Sequence, residues 1–228
     1  MISVVIPAHN EADGIGELLK AFSAFEGLEL IVAEDASTDG TPEIVREFVS
    51  RNDNVVLTSS RTLAGKGAAV KRGLALATGE VLGFIDGDGS IHPRDFMRVA
   101  AAINKGEADL AVGSRGLPTS IIVRPQPLSR RVAGSIYSLL ARTLLDINVR
   151  DFQCGCKAFC RGVWTAPSIV CEGFAFDAEL IAKAHKRGFT IIEVPITWSD
   201  KSNSKVSVAR QALPMLKCLL KTRAEVRR

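Results

Sequence analysis

Asp86-Gly87-Asp88 follows directly on the apolar run Val81-Leu82-Gly83-Phe84-Ile85. A strand sends residues i and i+2 to the same side, so the two carboxylates converge. The glycine between them lets a ligand or another backbone come close. Two hard oxygen donors at one point suit Mg²⁺ or Mn²⁺ bridging to phosphate oxygens, since Mg²⁺ usually takes one or two carboxylates plus substrate phosphates. The position also matches the rule that open α/β sheets bind ligands beyond the carboxyl ends of their strands. These residues therefore predict a metal-dependent enzyme acting on a nucleotide diphosphate. An EF-hand reading fails, because its sixth and twelfth places hold Ile91 and Met97 instead of Gly and Glu.

Other polar groups gather at strand ends. Pro7-Ala8-His9-Asn10-Glu11 closes the first apolar run. Asn10 is a candidate helix cap and Glu11 complements the helix dipole; His9 could stack on a base or be solvated. Glu34-Asp35-Ala36-Ser37-Thr38-Asp39-Gly40 closes the second run and offers acceptors for base N–H groups and ribose hydroxyls, or else a polar turn with a cap. Gly65-Lys66-Gly67 matches neither the Walker A nor the dinucleotide glycine pattern. It reads as a helix start whose Lys66 could touch a ligand.

The elements that carry these groups alternate. Strands are predicted at 2–6, 28–33, 55–57, 81–85 and 110–112, with helices at 11–25, 41–49, 67–76 and 93–103. That order implies a mostly parallel sheet covered on both faces. Beyond it, 115–127 reads as a loop, 128–145 and 175–186 as helices, and 190–194 as a strand. A final basic amphipathic helix spans 206–220, interrupted or kinked near Pro214.

Composition narrows the class. The chain of 228 residues is 46% hydrophobic and 24% charged, an ordinary globular balance that argues against disorder. Met1 leads straight into a strand, so no signal peptide is expected, and no apolar run reaches membrane-spanning length. The five cysteines predict reduced thiols in a cytoplasmic setting. Cys154, Cys156, Cys160 and Cys171 lack zinc-site spacing and read as buried hydrophobes. Residues 201–228 hold eight basic residues against one acid, for +7, which leaves −3 on residues 1–200 of the +4 total. Such a tail predicts an anionic partner surface. Nucleic acid is disfavoured, because no aromatic residue lies in that tail to stack on bases. A lipid surface is favoured: 128–145 and 206–220 have apolar faces flanked by Arg and Lys, the pattern of interfacial helices.

The ordered motifs resemble family 2 inverting glycosyltransferases of the GT-A fold. The likeness rests on Val4 through Glu11, Glu34 through Thr41, Gly65 through Ala69, Asp86-Gly87-Asp88 and Gly113-Ser114-Arg115. Asp151 through Phe159, Gly173 through Leu180, Glu193 through Trp198 and Ser204-Lys205-Val206 look like the polyprenyl-phosphate sugar synthases. Dolichyl-phosphate β-glucosyltransferases are most similar, and dolichyl-phosphate mannose synthases next. The resemblance implies a GT-A catalytic domain over 1–205, with a nucleotide half (1–115) and an acceptor half (116–205), then a C-terminal helix over 206–228. It implies hexose transfer with inversion from UDP-glucose or GDP-mannose to a polyprenyl or dolichyl phosphate, by an enzyme peripheral on the cytoplasmic face of a membrane. Transfer to a hydroxyl acceptor is the alternative, with Asp177 or Glu179 as base.

It also implies roles. Pro7, His9, Glu11, Ala33, Asp35, Lys66, Asp86 and Gly87 would bind the nucleotide. Asp88 would be the main ligand for Mg²⁺ or Mn²⁺, with Asp86 and Ser90 beside it. Arg115, Arg131 and Lys205 would meet the diphosphate or the acceptor phosphate. Asp151, Gln153 and Lys157 would lie at the sugar side.

Overall fold

A computed structural model describes residues 1–165, 169–201 and 208–227, with residues 208 and 209 described as backbone alone. In chain order the elements are β1 (Ile2–Ala8), α1 (Ile15–Phe22), β2 (Leu28–Asp35), α2 (Thr41–Val49), β3 (Val55–Ser60), α3 (Lys66–Leu74), β4 (Val81–Ile85), α4 (Pro93–Asn104) and β5 (Leu110–Ser114). They continue as β6 (Ile121–Arg124), α5 (Leu128–Leu145), β7 (Cys156–Cys160), α6 (Arg161–Trp164), α7 (Phe176–Lys186), β8 (Ile191–Pro195), β9 (Thr197–Ser199) and α8 (Val208–Val226).

Among the described residues, seven strands form one sheet in the order β3-β2-β1-β4-β7-β5-β8, and β6 pairs with β9 beside it. The sheet is parallel except for β7, which runs antiparallel to both β4 and β5. Its central strands are apolar on both faces because helices cover both. Val4, Ile6, Leu30, Val32 and Ile85 pack toward α1, α2 and α4. Val5, Ile31, Leu82, Phe84 and Val112 pack toward α3, α5, α7 and α8. The mostly parallel, two-face-covered sheet predicted from the alternation is the sheet observed.

Several expectations need correction. The first helix begins at Ile15, not Glu11, because Asn10 adopts φ +57° and the chain turns through Glu11–Gly14 before it coils. Asn10 is no helix cap: its Oδ1 accepts from Thr38 N at 2.7 Å and its N–H donates to Ser37 Oγ at 3.0 Å, tying the two site loops together. The expected loop 115–127 contains β6, and β7 has no counterpart among the predicted elements. The last helix is not interrupted at Pro214, which lies inside Val208–Val226, and Met215 and Leu219 beyond it are buried in the core. Finally, Cys171 and Cys218 form a disulfide with Cα atoms 6.3 Å apart, so three thiols remain free where five were expected.

The antiparallel strand brings distant segments to the ligand edge. It pairs Ile85 with Cys156, so the start of β7 lies beside the end of β4. The segment 151–155 that leads into it is thereby delivered to the same sheet edge as Asp86, Asp88 and Arg115.

Candidate active site

Asp88 lies just past the tip of β4, in the turn that follows Ile85 rather than on the strand itself. Its Oδ1 accepts from Ser90 N at 2.8 Å and its Oδ2 from Ser90 Oγ at 2.7 Å. Ser90 thus orients the carboxylate. Burial, and after it the neighbouring Asp86 charge, raise the Asp88 carboxyl above its ordinary range, while the Ser90 bonds pull the other way. Two carboxylates in mutual repulsion at a ligand edge are a donor set that a hard divalent cation relieves, so the residues present fit Mg²⁺ or Mn²⁺.

Asp86 is held from behind. A Cβ at Gly155 would overlap the Asp86 carboxylate, approaching even its farther oxygen, Oδ1, to 2.5 Å. The acid therefore lies flat on the Gly155 backbone, and its own N–H donates to Gly155 O at 2.9 Å. Gly87 also passes close to β1, where a Cβ would meet Pro7 O at 2.8 Å. Lys66 Nζ stands 2.8 Å from Asp86 Oδ1 and 3.4 Å from Asp177 Oδ2. Burial opposes the Lys66 charge, but Asp177 and Asp86 outweigh it and hold the ammonium above its usual range.

Across the edge, Arg115 clamps Asp151 through its N–H at 3.0 Å, Nε at 2.7 Å and Nη2 at 2.9 Å. Burial alone would push the Asp151 carboxyl up; the Arg115 charge and its bonds overcome this and bring it down to about 2. Arg115 also stacks over the Trp198 ring at 5.5 Å. Next to this pair opens a cavity of about 720 Å³, lined by Arg130, Arg131, Arg142, Arg150 and Gln153, with Ile122 and Leu139 in its wall. Outside it, Ile121 and Val123 of β6 and Leu128, Val132 and Ile136 of α5 lie exposed.

The remaining candidates fall less simply. His9 Nδ1 contacts Asp35 O at 2.6 Å, which fixes its ring beside the second strand loop. The Glu11 N–H donates to Thr41 Oγ1 at 2.8 Å. Pro7 lies within β1, paired with Ala33. Ala33 is fully buried inside β2, so its side chain faces core and not nucleotide. Asp35 is 3% exposed, with Oδ2 accepting from Ala64 N at 3.0 Å and Gly65 N at 2.9 Å. It anchors the Gly65 loop, whereas a base-binding acid would face outward. The cause is the same for both: β2 runs two residues past its predicted end.

Lys157 is the clearest correction. Expected at the sugar side, it is 0% exposed beneath the site, its ammonium donating to Phe152 O, Cys154 O and Asp177 Oδ1. Lys205 lies outside the described residues. Asp177 and Glu179, the candidate bases for a hydroxyl acceptor, are each 1% exposed. Both lysines hold Asp177, and Glu179 accepts from Val170 N, Cys171 N and Lys183. Neither carboxylate is free to take a proton from an acceptor.

Sequence reasoning missed Arg142 and Arg150 as cavity residues, and Tyr137. The Tyr137 hydroxyl is buried without a hydrogen-bond partner among the described residues. Burial, and then the charge of Asp177, push its ionisation up. The α5 spacing puts Tyr137 on the inward side with Ala141, but does not show that it reaches toward the site.

An acidic pair at the lip of a mostly parallel sheet, a lysine against it and an arginine-lined cavity beside it define a nucleotide-dependent group transferase. The sequence model of glycosyl transferase family 2 matches residues 3–164, and the chain belongs to that family. Glycosyltransferase AglD of Haloferax volcanii is 34% identical over 230 residues, which span 97% of this chain but 36% of AglD. Polyprenol monophosphomannose synthase of Mycolicibacterium smegmatis is 32% identical over 206 residues, covering 87% of this chain and 77% of that one. Dolichyl-phosphate beta-glucosyltransferase of Dictyostelium discoideum is 28% identical over 240 residues, covering 97% and 73%. Among solved structures, glucosyl-3-phosphoglycerate synthase of Mycobacterium tuberculosis, in complex with Mn²⁺, UDP and glucosyl-3-phosphoglycerate, superposes with a TM-score of 0.74. At 24% identity, over 98% of this chain and 80% of that one, this likeness establishes the GT-A fold.

Proposed function

We propose that the chain transfers a hexose, with inversion, from UDP-glucose or GDP-mannose to a polyprenyl phosphate at a membrane surface. The observation that carries this reading is the arginine-lined cavity beside the Arg115–Asp151 pair, walled by apolar residues that continue onto an exposed apolar face. Guanidinium groups suit a phosphate head, and an apolar wall suits the chain attached to it. The relatives named for polyprenol and dolichyl phosphate support the acceptor class.

The residues then divide the work. His9, Glu11 and Asp86 border the nucleotide. A divalent cation held by Asp88 and Asp86 would supply Lewis-acid neutralisation of the departing diphosphate. Lys66 adds fixed positive charge beside the same group, where negative charge develops. Arg131, Arg142 and Arg150 orient the acceptor phosphate toward the sugar. That phosphate is itself the nucleophile: its second pKa is near 6, so it is already anionic at neutral pH. One oxygen forms the new bond to the anomeric carbon as the nucleoside diphosphate leaves from the opposite side. No general base is required, which agrees with the engagement of Asp177 and Glu179 elsewhere.

No helix among the described residues is long and apolar enough to cross a membrane. We propose peripheral attachment, on the cytoplasmic face, through β6, α5 and the outer side of α8. There Leu213, Leu216 and Leu220 are exposed among basic residues. Incubation with labelled UDP-glucose or GDP-mannose and vesicles containing polyprenyl phosphate tests the reading. Label moving into the organic-solvent extract is expected. Label appearing only on hydroxyl acceptors would overturn it.

A further inference from the structure

Three charged side chains run in line from the core to the Asp86 carboxylate. At the deep end, Lys157 Nζ donates to Phe152 O at 3.2 Å, Cys154 O at 2.8 Å and Asp177 Oδ1 at 2.6 Å. That uses all three donors of an ammonium. Asp177 turns its other oxygen, Oδ2, toward Lys66 Nζ at 3.4 Å, and Lys66 reaches Asp86 Oδ1 at 2.8 Å. Both ammonium groups sit over the same Phe84 ring, at 5.5 Å for Lys66 and 5.6 Å for Lys157. Phe84 is itself fixed edge-on by Phe176.

Neither deep residue can touch a substrate: Lys157 is 0% and Asp177 1% exposed. Nor does stability explain them, since desolvating such groups often cancels their attraction and an apolar substitute can serve as well. What the line does achieve is order in Lys66. A lysine on four rotatable bonds ordinarily loses much rotamer freedom when it is pinned. Here the pinning is done before any ligand arrives.

We propose that Asp177 and Lys157 are positioning residues that hold the Lys66 ammonium at the diphosphate side of Asp86. A charge fixed in advance stabilises the leaving group without reorganisation at the moment of reaction. Lys157 acts at a second point as well. By gripping the carbonyls of Phe152 and Cys154 it braces the segment that presents Asp151, Gln153 and the Gly155 surface on which Asp86 rests. The inference deepens the proposed function and rests on its placement of the nucleotide diphosphate at Asp86 and Lys66.

A double-mutant cycle tests it. Asp177→Asn keeps the shape and an acceptor for Lys157 but removes the charge that holds Lys66. Turnover and donor KM are measured for wild type, Asp177→Asn, Lys66→Met and the double variant. Lys157→Gln is carried through a parallel cycle, in which the part of its loss that vanishes in the Lys66→Met background is the part passing through Lys66, and a Lys157 loss with no such part would overturn its positioning of Lys66. Asp177→Asn is expected to lower kcat about tenfold with donor KM changed less than about threefold. In the Lys66→Met background the same change is expected to alter kcat less than about twofold, because its effect passes through Lys66. Equal losses in both backgrounds would overturn the proposal and leave Asp177 a packing residue. Calorimetric binding of UDP and of GDP, each with Mn²⁺, to the wild-type protein separates the two levels. Binding and turnover together with an additive cycle refute the positioning role alone; binding of neither nucleotide refutes the site reading beneath it.

Discussion

Gly155→Ala is the most revealing single change. The residue carries no chemistry, and its backbone does not occupy the left-handed region that alanine avoids. A methyl group there nevertheless cannot coexist with the Asp86 carboxylate as placed, since even Oδ1 would lie 2.5 Å away and the other oxygen nearer. Non-bonded carbon and oxygen need more than about 3 Å, so the acid must swing aside by about 1 Å. Misplacing a reacting constellation by that distance costs roughly 10²-fold, which is about 2.7 kcal/mol of transition-state stabilisation. The fold should barely register the change. Asp86 has a side chain 35% exposed, so it can turn into solvent, and Lys66 keeps Asp177 as partner. Because Lys66 keeps Asp177 and Asp86 gains solvent, losing this partly buried contact costs about 1 kcal/mol, a fall of roughly 2–4 °C in melting temperature. Steady-state release of nucleoside diphosphate, run beside a thermal melt, measures both. A loss of about two orders of magnitude in kcat/KM with a nearly unchanged melt is expected. Turnover within about threefold of wild type would refute the claim that Asp86 must rest on a bare backbone at Gly155.

Two further changes probe other parts of the site. The Asp151 carboxyl is held near 2, below its ordinary value of 3.8, by Arg115. Its stabilising contribution, about 2 kcal/mol by linkage, is therefore complete above about pH 4 and disappears as pH falls through about 2. Asp151→Asn should be less stable than wild type at neutral pH and converge on it in acid; parallel stability–pH curves would show that the clamp contributes nothing. Ile122→Glu combined with Leu139→Glu should reduce flotation with anionic vesicles at least about tenfold, while the melting temperature is kept, because both side chains are exposed. Unchanged flotation would remove β6 and α5 from the membrane-facing surface.

The parts legible in the sequence were those whose signal is local. A five-residue apolar run ending in Asp-Gly-Asp states both a buried strand and the group at its tip, and β4 with Asp86 and Asp88 lies where that pattern put it. The helices α2 and α5 match their predicted spans to the residue, being bounded by Gly40-Thr41-Pro42 and by the Pro127 and Asp146 ends. What escaped depends on distant partners. The strand β7 holds a lysine and two cysteines, and only its insertion between β4 and β5 makes it a strand. From the sequence, Lys157 and Asp177 are expected to face the sugar and the acceptor, because nothing local shows that the fold brings them, 20 residues apart, into one buried pair. Asp35 reads as a strand-end acid because nothing local shows β2 continuing to it, nor the Ala64–Gly65 amides that it binds. The Cys171–Cys218 link, 47 residues apart, depends on α8 folding back against α7.

The proposed chemistry stands on Asp86 and Asp88 as the place where a cation and a diphosphate meet. Crystals of the protein grown with Mn²⁺ and the nucleoside diphosphate it binds, measured at the manganese absorption edge, examine that directly. An anomalous peak within coordination distance of an Asp88 oxygen, with the diphosphate between it and Lys66, is the expected result. A peak elsewhere, or a diphosphate lodged away from the β4 tip, would contradict it.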